Sequence, residues 1–249
     1  MRTRFLHRRL RGRLFDYLRL AKRFYREERG PFLEEVPPGA RHLVIAPHQD
    51  DEMIGCGGTM AKAVAAGKHV QVLFLTRGEA GRTPVETRRE EAKAASALLG
   101  LPEPRFWDWP DGGVVRTGEF TRQLGQYLAE ERPDTIFCPS PFERHPDHVG
   151  AFLNLQAALG DSSPDCWLYE VWSSLPTNYA VDITPFWETK MAALRAYPSQ
   201  LRAADFTEKT FGLNAFRSLS YPGTRYVEAF LRLSGRDMAD LARVWGEES

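Results

Sequence analysis

Short apolar runs that alternate with helix-forming segments are the feature that most constrains the fold of this chain. The apolar run at residues 43–46 precedes a helix-forming segment at residues 54–66, and the run at residues 70–75 precedes another at residues 86–99. Runs this short, bounded by Gly and Pro, are typical of buried parallel strands. The alternation at this spacing predicts right-handed crossovers and a mainly parallel sheet with helices on both faces.

The same alternation continues to about residue 159 and then loosens, and the last fifty residues have only a coarse pattern. We therefore expect one Rossmann-like three-layer α/β/α domain. The further predicted strands are residues 105–109, 135–138, 167–172 and 179–183, and the further predicted helices are residues 118–131, residues 185–197 and a segment that ends near residue 159.

The bulk composition excludes several classes of protein. The 249 residues are 43% hydrophobic, which is enough for one sizeable core, and the net charge is zero, which gives no general attraction for nucleic acid. No uncharged apolar stretch approaches the roughly 20 residues that span a membrane. The three cysteines are odd in number and have no CxxC spacing. They argue against a disulfide framework and for a reducing, cytoplasmic location.

The first 30 residues depart from this neutral balance. They contain eleven Lys and Arg residues against three Asp and Glu residues, interleaved with a helical stripe of Leu, Phe and Tyr. Such a segment is either a solvated helix that packs on its own domain or on a second subunit, or a helix that contacts a membrane surface. A Pro-Pro-Gly turn at residues 37–39 follows it. We therefore divide the chain into a basic amphipathic arm, residues 1–38, and one domain, residues 39–249.

Two clusters of ionisable residues follow two of the predicted strands. His48 and Asp51 come after the first strand, and His145, Asp147 and His148 come after the fourth. Because the carboxyl ends of parallel strands share one edge of a sheet, these side chains are expected to meet. Imidazole and carboxylate together suit zinc or ferrous iron, and a catalytic zinc uses three protein ligands. His48, Asp51 and one histidine of the second cluster supply that number.

The residues left over from this ligand set suit the remaining steps of hydrolysis. Asp50 is a carboxylate beside the predicted ligands, placed to take a proton from water that the metal activates. The spare imidazole of the second cluster, oriented by Asp147, is placed to stabilise an oxyanion. Metal, activated water, base and oxyanion donor together indicate metal-assisted hydrolysis of an acyl group.

Each motif also has a plain structural interpretation. Acidic residues ahead of a helix are common N-caps, and a His-Pro-Asp-His sequence is common in a turn before a capped helix. The Gly-rich stretch at residues 55–58 resembles a turn that cradles phosphate, but Met60 stands where the dinucleotide-binding motif has Gly or Ala. Close packing of the helix on a strand is the simpler role for these glycines. A sugar-binding protein without catalysis and a nucleotide-dependent oxidoreductase are the two alternative functions.

The two polar motifs together resemble those of the LmbE-like, or PIG-L, family of zinc-dependent de-N-acetylases. Residues 47–52, Pro-His-Gln-Asp-Asp-Glu, are similar to the family's PHxDDE motif, and residues 145–148 are similar to its HPDH motif. The resemblance covers roughly residues 41–230. It extends through Gly-Gly-Thr at residues 57–59, Arg-Arg-Glu-Glu-Ala at residues 88–92, residues 190–200 and, weakly, residues 225–230.

The resemblance implies a role for each residue that matches a family motif. From the residues alone, Arg88 is also explained as a helix-surface cation that pairs with Glu91. The resemblance implies that His48, Asp51 and His148 are zinc ligands and that Asp50 is the general base. It also implies that His145, with Asp147, supports the tetrahedral intermediate and that Arg88 binds the substrate.

The resemblance also implies the LmbE-like version of the three-layer fold and an activity. The expected reaction removes an N-acetyl group from an amino sugar of the N-acetylglucosamine type, or from a conjugate of one. Zinc is the implied cofactor, and ferrous iron accepts the same ligands. Trp107, Trp109 and the tryptophans at residues 167 and 172 either pack in the core or face the sugar ring.

Overall fold

The computed structural model describes residues 32–80, 83–115, 117–159, 164–202 and 204–245. The predicted helix of the first 30 residues lies outside these described residues. Within them, the chain forms one mixed sheet of eight strands. The strands are β1 (Phe32–Glu34), β2 (Arg41–Ala46), β3 (His69–Thr76), β4 (Arg105–Trp109), β5 (Thr135–Pro139), β6 (Asp165–Tyr169), β7 (Tyr179–Asp182) and β8 (Val227–Leu233).

The strand order is β1-β7-β8-β6-β5-β2-β3-β4, and eight α-helices in the described part of the chain cover the sheet. This is the three-layer α/β fold that the sequence predicts. The helices are α1 (Asp51–Ala65), α2 (Val85–Leu98), α3 (Gly118–Glu131), α4 (Pro146–Leu159), α5 (Trp187–Arg195), α6 (Pro198–Leu201), α7 (Phe206–Arg217) and α8 (Gly235–Trp245).

Strands β4, β3, β2, β5 and β6 form the parallel part of the sheet. β2 lies at its centre and pairs with β3 in register from Arg41 opposite His69 to Ala46 opposite Phe74. The side chains of β2 after Arg41 are all buried. A strand buried on both faces needs a continuous apolar run, which is why this segment was recognisable in the sequence.

Helices pack on both faces of the sheet and divide the core in two. One face carries α1, α2 and α5, and the other carries α3, α4 and α8. Alternate residues of β2 point to opposite faces, so Val44 lies in the first core and its neighbours Leu43 and Ile45 lie in the second. The two cores hold β2 from both sides and fix the position of its carboxyl end.

The second half of the sheet contains elements that the sequence pattern did not reveal. β8 is antiparallel to both β6 and β7, and it joins the short parallel pair of β1 and β7 to the rest of the sheet. β1 lies within residues 1–38, the segment expected to form only the arm. β6 ends at Tyr169 rather than at residue 172. No helix among the described residues is long and apolar enough to cross a membrane.

Helix α1 begins at Asp51, three residues before its predicted start, and is kinked at Cys56, whose φ of −146° is not helical. The kink frees backbone groups, and a buried ion pair binds them. Lys190 Nζ donates to the carbonyl of Ile54 at 2.9 Å and to Glu228 Oε1 at 2.6 Å. The Glu228 carboxylate also accepts from the backbone N–H groups of Gly58 and Thr59, at 2.9 and 2.7 Å.

These contacts explain the Gly-rich stretch that resembled a phosphate-binding turn. Its free N–H groups already bind a carboxylate of the protein, so they are not available for a nucleotide. A Cβ atom on Gly55 would lie 2.2 Å from the ring of Tyr169 on β6, and one on Gly58 would lie 2.7 Å from Ile183. The glycines therefore allow α1 to pack closely on the sheet.

Candidate active site

The first polar motif begins where β2 ends, and β3 holds it in place. The Pro47 carbonyl accepts hydrogen bonds from the backbone N–H of Thr76 at 3.1 Å and from its hydroxyl at 2.9 Å. The Gln49 side chain donates to the Thr76 carbonyl at 2.9 Å. His48 lies between these two anchored residues, so its position is fixed by the ends of two parallel strands.

Asp50 has an unusual backbone conformation, with φ at +129°. A non-glycine residue at such a φ is strained, and strain of this kind concentrates at functional sites. Glu52 stabilises the conformation, because its Oε2 accepts from the Asp50 backbone N–H at 3.1 Å. Glu52 Oε1 in turn accepts from the hydroxyl of Tyr197 at 2.5 Å. These contacts hold the buried Asp50 in place at the start of α1.

The second polar motif forms the loop after β5 and the first turn of α4. Asp147 is fully buried there and anchors the loop before α3, because its two carboxylate oxygens accept from the backbone N–H groups of Gly112 at 2.7 Å and Val114 at 3.0 Å. Asp147 Oδ2 also lies 3.0 Å from His48 Nε2. The carboxylate therefore connects the two motifs across 99 residues of sequence.

The two motifs meet at Asp51. Its Oδ2 lies 3.2 Å from His48 Nδ1 and 3.1 Å from His148 Nε2. The ring nitrogens of His48, His145 and His148 also lie within 4.8 Å of one another. The structure thus brings together the three histidines and the aspartate that the sequence placed at this edge of the sheet.

A divalent metal fits this donor set. Both ring nitrogens of His148 are buried and have no hydrogen-bond partner among the described residues, although Nε2 lies 3.1 Å from the Asp51 carboxylate. Buried imidazole nitrogens without partners are costly unless they bind something else. Two imidazoles and a carboxylate are donors that zinc and ferrous iron accept.

The charges of the site are strongly coupled. Burial disfavours charge on His48, but its contacts with Asp147 and Asp51 outweigh this effect and raise its pKa to about 10. His148 behaves in the same way: burial opposes its charge, while Asp51 and Glu143 raise its pKa to about 9. Burial also opposes ionisation of Asp51, but the two imidazoles lower its pKa well below the ordinary value. Without a metal, the protonated imidazoles of His48 and His148 therefore pair with the carboxylates of Asp51 and Asp147.

Asp50 has the opposite shift. Burial and the negative charge of Asp51 raise the pKa of Asp50 to about 7, against the positive charges of Arg88 and the two histidines. A carboxylate with a pKa near neutrality both accepts and returns a proton readily. Its environment therefore suits a general base.

His145 is the most exposed of the three histidines at the site. Its Nδ1 accepts from the backbone N–H of Asp147 at 3.2 Å. Burial and the positive charges of His48 and His148 lower the pKa of His145. A neutral ring that accepts at Nδ1 carries its proton on Nε2, which makes Nε2 a donor. The Asp147 carboxylate is 3.8 Å from Nδ1, beyond hydrogen-bond distance, so its stronger contact is with His48.

Arg88 is buried rather than on the helix surface. Its guanidinium donates to the carbonyl of Gly78 at 3.0 Å and to that of Gln49 at 2.9 Å. Glu91 binds Ser199 instead, so the interpretation of Arg88 as a surface partner of Glu91 is wrong. Gly78 has φ at +71°, and a Cβ atom there would lie 2.6 Å from Arg88 Nη1. Arg88 therefore links the loops that follow β2 and β3.

Glu143 is a site residue that sequence reasoning missed. It is buried, and its carboxylate accepts from the backbone N–H groups of Val171 and Trp172, both at 2.9 Å. Its Oε2 lies 3.6 Å from His148 Nδ1. Its position two residues before His145 was the only available signal, because a carboxylate that binds backbone groups has no motif of its own.

The tryptophans divide between the core and the edge of the site. Trp167 is fully buried, and Trp107 and Trp109 pack against Phe120 in the core. Trp172 is different, because it is 60% exposed on the loop that binds Glu143. Of these four, Trp172 is therefore the one placed to contact a ligand.

Comparison with known proteins places this geometry in a family. Residues 43–158 match the model of PIG-L, described as GlcNAc-PI de-N-acetylase. The chain is 32% identical over 184 residues to a diacetylchitobiose deacetylase from Thermococcus kodakarensis, in a match that covers 64% of this chain and 69% of that protein. It is 27% identical over 282 residues to a 1D-myo-inositol 2-acetamido-2-deoxy-alpha-D-glucopyranoside deacetylase from Mycobacterium sp. strain JLS, with 86% of this chain and 90% of that protein covered.

The fold agrees with the same assignment. The crystal structure of a conserved protein from Thermus thermophilus is similar to this one with a TM-score of 0.71 and 33% sequence identity, over 76% of this chain and 93% of that chain. The matched segment of the family model contains both polar motifs, and the structure brings those motifs together at one edge of the sheet. The chain belongs to the PIG-L, or LmbE-like, family.

Proposed function

We propose that this protein is a metal-dependent hydrolase that removes an N-acetyl group from an amino sugar of the N-acetylglucosamine type, or from a conjugate of one. The observation that carries the proposal is the contact of Asp51 Oδ2 with ring nitrogens of both His48 and His148, at 3.2 and 3.1 Å. The names of the relatives support the class of substrate, since both are deacetylases of acetamido sugars.

His48, Asp51 and His148 are the proposed ligands of zinc, with ferrous iron as the alternative ion. Such a cation, when bound, acidifies water and polarises a carbonyl oxygen. Asp147 holds His48 at Nε2, and Glu143 lies beside His148 Nδ1. Carboxylates in these positions orient ligand imidazoles and increase their basicity.

Asp50 is the proposed general base. It removes a proton from the water that attacks the acetamido carbonyl, and the carbonyl carbon becomes tetrahedral. When the C–N bond breaks, Asp50 returns this proton to the departing nitrogen, so that acetate and a free amine leave. The raised pKa of Asp50, about 7, supports both transfers.

His145 is the proposed hydrogen-bond donor to the tetrahedral intermediate. Its Nδ1 accepts from the backbone of Asp147, which leaves the proton on Nε2. Donors of this kind stabilise the developing negative charge on oxygen. Asp147 supports the ring through its backbone N–H.

Arg88 remains the proposed substrate-binding residue. Two of its nitrogens bind backbone carbonyls, while Nε is buried without a hydrogen-bond partner among the described residues. The positive charge of Arg88 acts on Asp50, which supports a role for this residue at the proposed reaction centre.

The surroundings of the enzyme are also part of the proposal. We place it in the cytoplasm, consistent with three buried, free cysteines. Of the arm expected at residues 1–38, residues 32–34 belong to the sheet of the domain at residues 39–249. The first 30 residues are proposed as a basic arm that packs on its own domain or on a second subunit, or that contacts a membrane surface. Co-sedimentation with anionic vesicles at low and high salt distinguishes these roles, because only membrane contact gives binding that salt weakens.

A panel of N-acetylated sugars, free, nucleotide-linked, lipid-linked and thiol-linked, tests the reaction by the release of acetate and primary amine. We expect turnover by the zinc-loaded protein on at least one class. Asp50→Asn should lower kcat by about 10²–10⁴-fold, the scale of general base catalysis, while bound zinc stays stoichiometric. His148→Ala should lose the metal.

Two exposed residues provide matched controls. Asp108→Asn and His69→Ala change the same residue types away from the site and should keep both zinc and turnover. Near-normal turnover of Asp50→Asn would exclude Asp50 as the base. Turnover by none of the sugars would support a non-catalytic sugar-binding protein instead.

A further inference from the structure

A cavity of about 360 Å³ lies beside the candidate active site, and no step of the proposed reaction uses it. This volume is within the range of small-molecule sites. Its walls come from three parts of the chain: the first turns of α1, the loop after β6 and the start of α7. The lining residues are Ile54, Val171, Trp172, Ser173, Ser174, Ala204, Phe206, Lys209, Thr210 and Leu213.

Two segments that line the cavity are hydrogen-bonded to residues of the candidate active site. Ile54 lies one turn after Asp50 on α1, and its backbone N–H binds the Asp50 carbonyl at 3.0 Å. Val171 and Trp172 bind the carboxylate of Glu143, which lies 3.6 Å from His148. The cavity therefore adjoins the segments that hold Asp50 and Glu143, on the side of the site where α1 and the loop after β6 approach each other.

The walls of the cavity are mainly apolar and aromatic. Trp172 and Phe206 meet edge to face, with ring centroids 6.2 Å apart. Trp172 is 60% exposed, which is a large apolar surface to leave in water. These side chains favour a ligand with an apolar or aromatic body.

Two polar side chains of the cavity wall favour a ligand that also carries an oxygen atom. Thr210 is buried, and its hydroxyl has no hydrogen-bond partner among the described residues. A buried hydroxyl without a partner loses its hydration, and a ligand oxygen would restore the lost bond. The ammonium group of Lys209 lies 5.7 Å from the Phe206 ring, on the same turn of α7. An unbranched acyl chain would satisfy neither group.

We propose that this cavity binds the group attached to the amino sugar, and that this group is an apolar, ring-sized body that carries a carbonyl or carboxylate oxygen. The proposal rests on the proposed deacetylase function and specifies its substrate class. Trp172 and Phe206 pack on the apolar body. Thr210 and Lys209 bind its oxygen.

The test compares three N-acetylglucosamine glycosides, with methyl, phenyl and 4-carboxyphenyl groups, by acetate release from the zinc-loaded enzyme. We expect kcat/KM to be at least about tenfold higher for the phenyl than for the methyl glycoside, as is usual for filling an apolar pocket. The carboxyphenyl glycoside should be better again. Trp172→Ala should reduce the phenyl-to-methyl ratio to near one.

Two variants test the polar groups separately. Thr210→Val keeps the shape of the side chain and should lower kcat/KM for the carboxyphenyl glycoside about three- to tenfold, the value of one hydrogen bond. Lys209→Met should remove the preference for the carboxyphenyl over the phenyl group. Phe216→Ala is the control, because Phe216 is 62% exposed on the same helix and does not line the cavity. It should keep both ratios.

Two results would overturn the proposal and leave the deacetylase function intact. One is an equal kcat/KM for the three glycosides. The other is a kcat/KM that rises when the N-acyl chain is lengthened, if Trp172→Ala abolishes this rise. Absence of acetate from all three would count against the function instead. In that case, calorimetric binding of the carboxyphenyl glycoside decides about the cavity. If the glycoside binds and both Thr210→Val and Trp172→Ala weaken the binding, the proposed role of the cavity is supported. If the glycoside does not bind, that role is overturned.

Discussion

At the scale of single residues, Asp51 joins the two halves of the site. Its Oδ2 accepts from the backbone N–H of His48 at 2.9 Å and contacts the imidazoles of His48 and His148, the two proposed ligands. The nearby imidazoles lower its pKa, while their own pKa values are raised to about 10 for His48 and about 9 for His148. In the metal-free protein, protons are therefore bound to ring nitrogens whose lone pairs a metal would need.

The affinity for zinc should consequently depend steeply on pH. Below pH 9 both imidazoles carry protons in the metal-free protein, since their pKa values are about 10 and about 9, and binding must displace these protons. Apparent affinity should rise with pH, by up to about tenfold per pH unit for each displaced proton, and level off above about pH 10. Calorimetry in buffers with different ionisation enthalpies measures the number of protons released.

Asp147→Asn is the informative variant for this prediction. Asp147 contributes to the raised pKa of His48 through their 3.0 Å contact. Without that carboxylate, the pKa of His48 should be lower, so the rise of zinc affinity with pH should level off at a lower pH. Asp134→Asn removes an exposed carboxylate elsewhere and should change nothing. Zinc affinity that stays constant from acidic to alkaline pH would show that these histidines are not ligands.

At the scale of elements, helix α1 begins at the carboxylates proposed for the reaction, Asp50 and Asp51, and is kinked further along the helix. The helix changes direction at Cys56, and Lys190 and Glu228 bind the backbone groups that the kink frees. Both side chains are fully buried. The hydrogen bonds of the two side chains replace those that they would make to water.

Lys190→Met should therefore destabilise the protein by about 3–5 kcal/mol, because it leaves Glu228 charged and without its cation. Chemical denaturation measures this change as a lower midpoint with an unchanged slope. Lys93→Met is the control, since Lys93 is on the surface and its contacts with Glu90 and Glu103 are exposed to solvent. Equal midpoints for the two variants would mean that the buried pair does not stabilise the kink.

The elements differ in how well their sequences predict them. β2 and β3 are buried on both faces, so their apolar runs are continuous and were recognised. β8 is also largely buried, but Glu228 and Arg232 interrupt its apolar run. Its antiparallel pairing is set by partners far away in the chain, in β6 and β7. The kink in α1 depends on Lys190 and Glu228 from outside the helix, and no local pattern reveals it.

The same distinction applies to the site. The meeting of His48 and Asp51 with the second histidine cluster is predictable, since both motifs follow strands. His148 rather than His145 is singled out only by the resemblance to the family. Glu143 and Tyr197 are not predictable, because they act through backbone groups or through another carboxylate. Contacts of that kind depend on the completed fold and leave no spacing in the sequence.

At the scale of the whole molecule, the fold brings the residues of the site together. β2 and β5 are adjacent and parallel, so the loops after them lie side by side although 97 residues separate His48 from His145. The second half of the chain adds Tyr197, which binds the Glu52 that holds Asp50, and the loop after β6 beside His148. The site therefore needs the complete sheet, including the part around β8.

The most direct test of this account is anomalous diffraction at the zinc edge from crystals of the zinc-loaded protein. We expect one peak about 2.0–2.2 Å from a ring nitrogen of His48, a ring nitrogen of His148 and a carboxylate oxygen of Asp51. A peak bound by His145 in place of Asp51, or no peak at this edge of the sheet, would contradict the account.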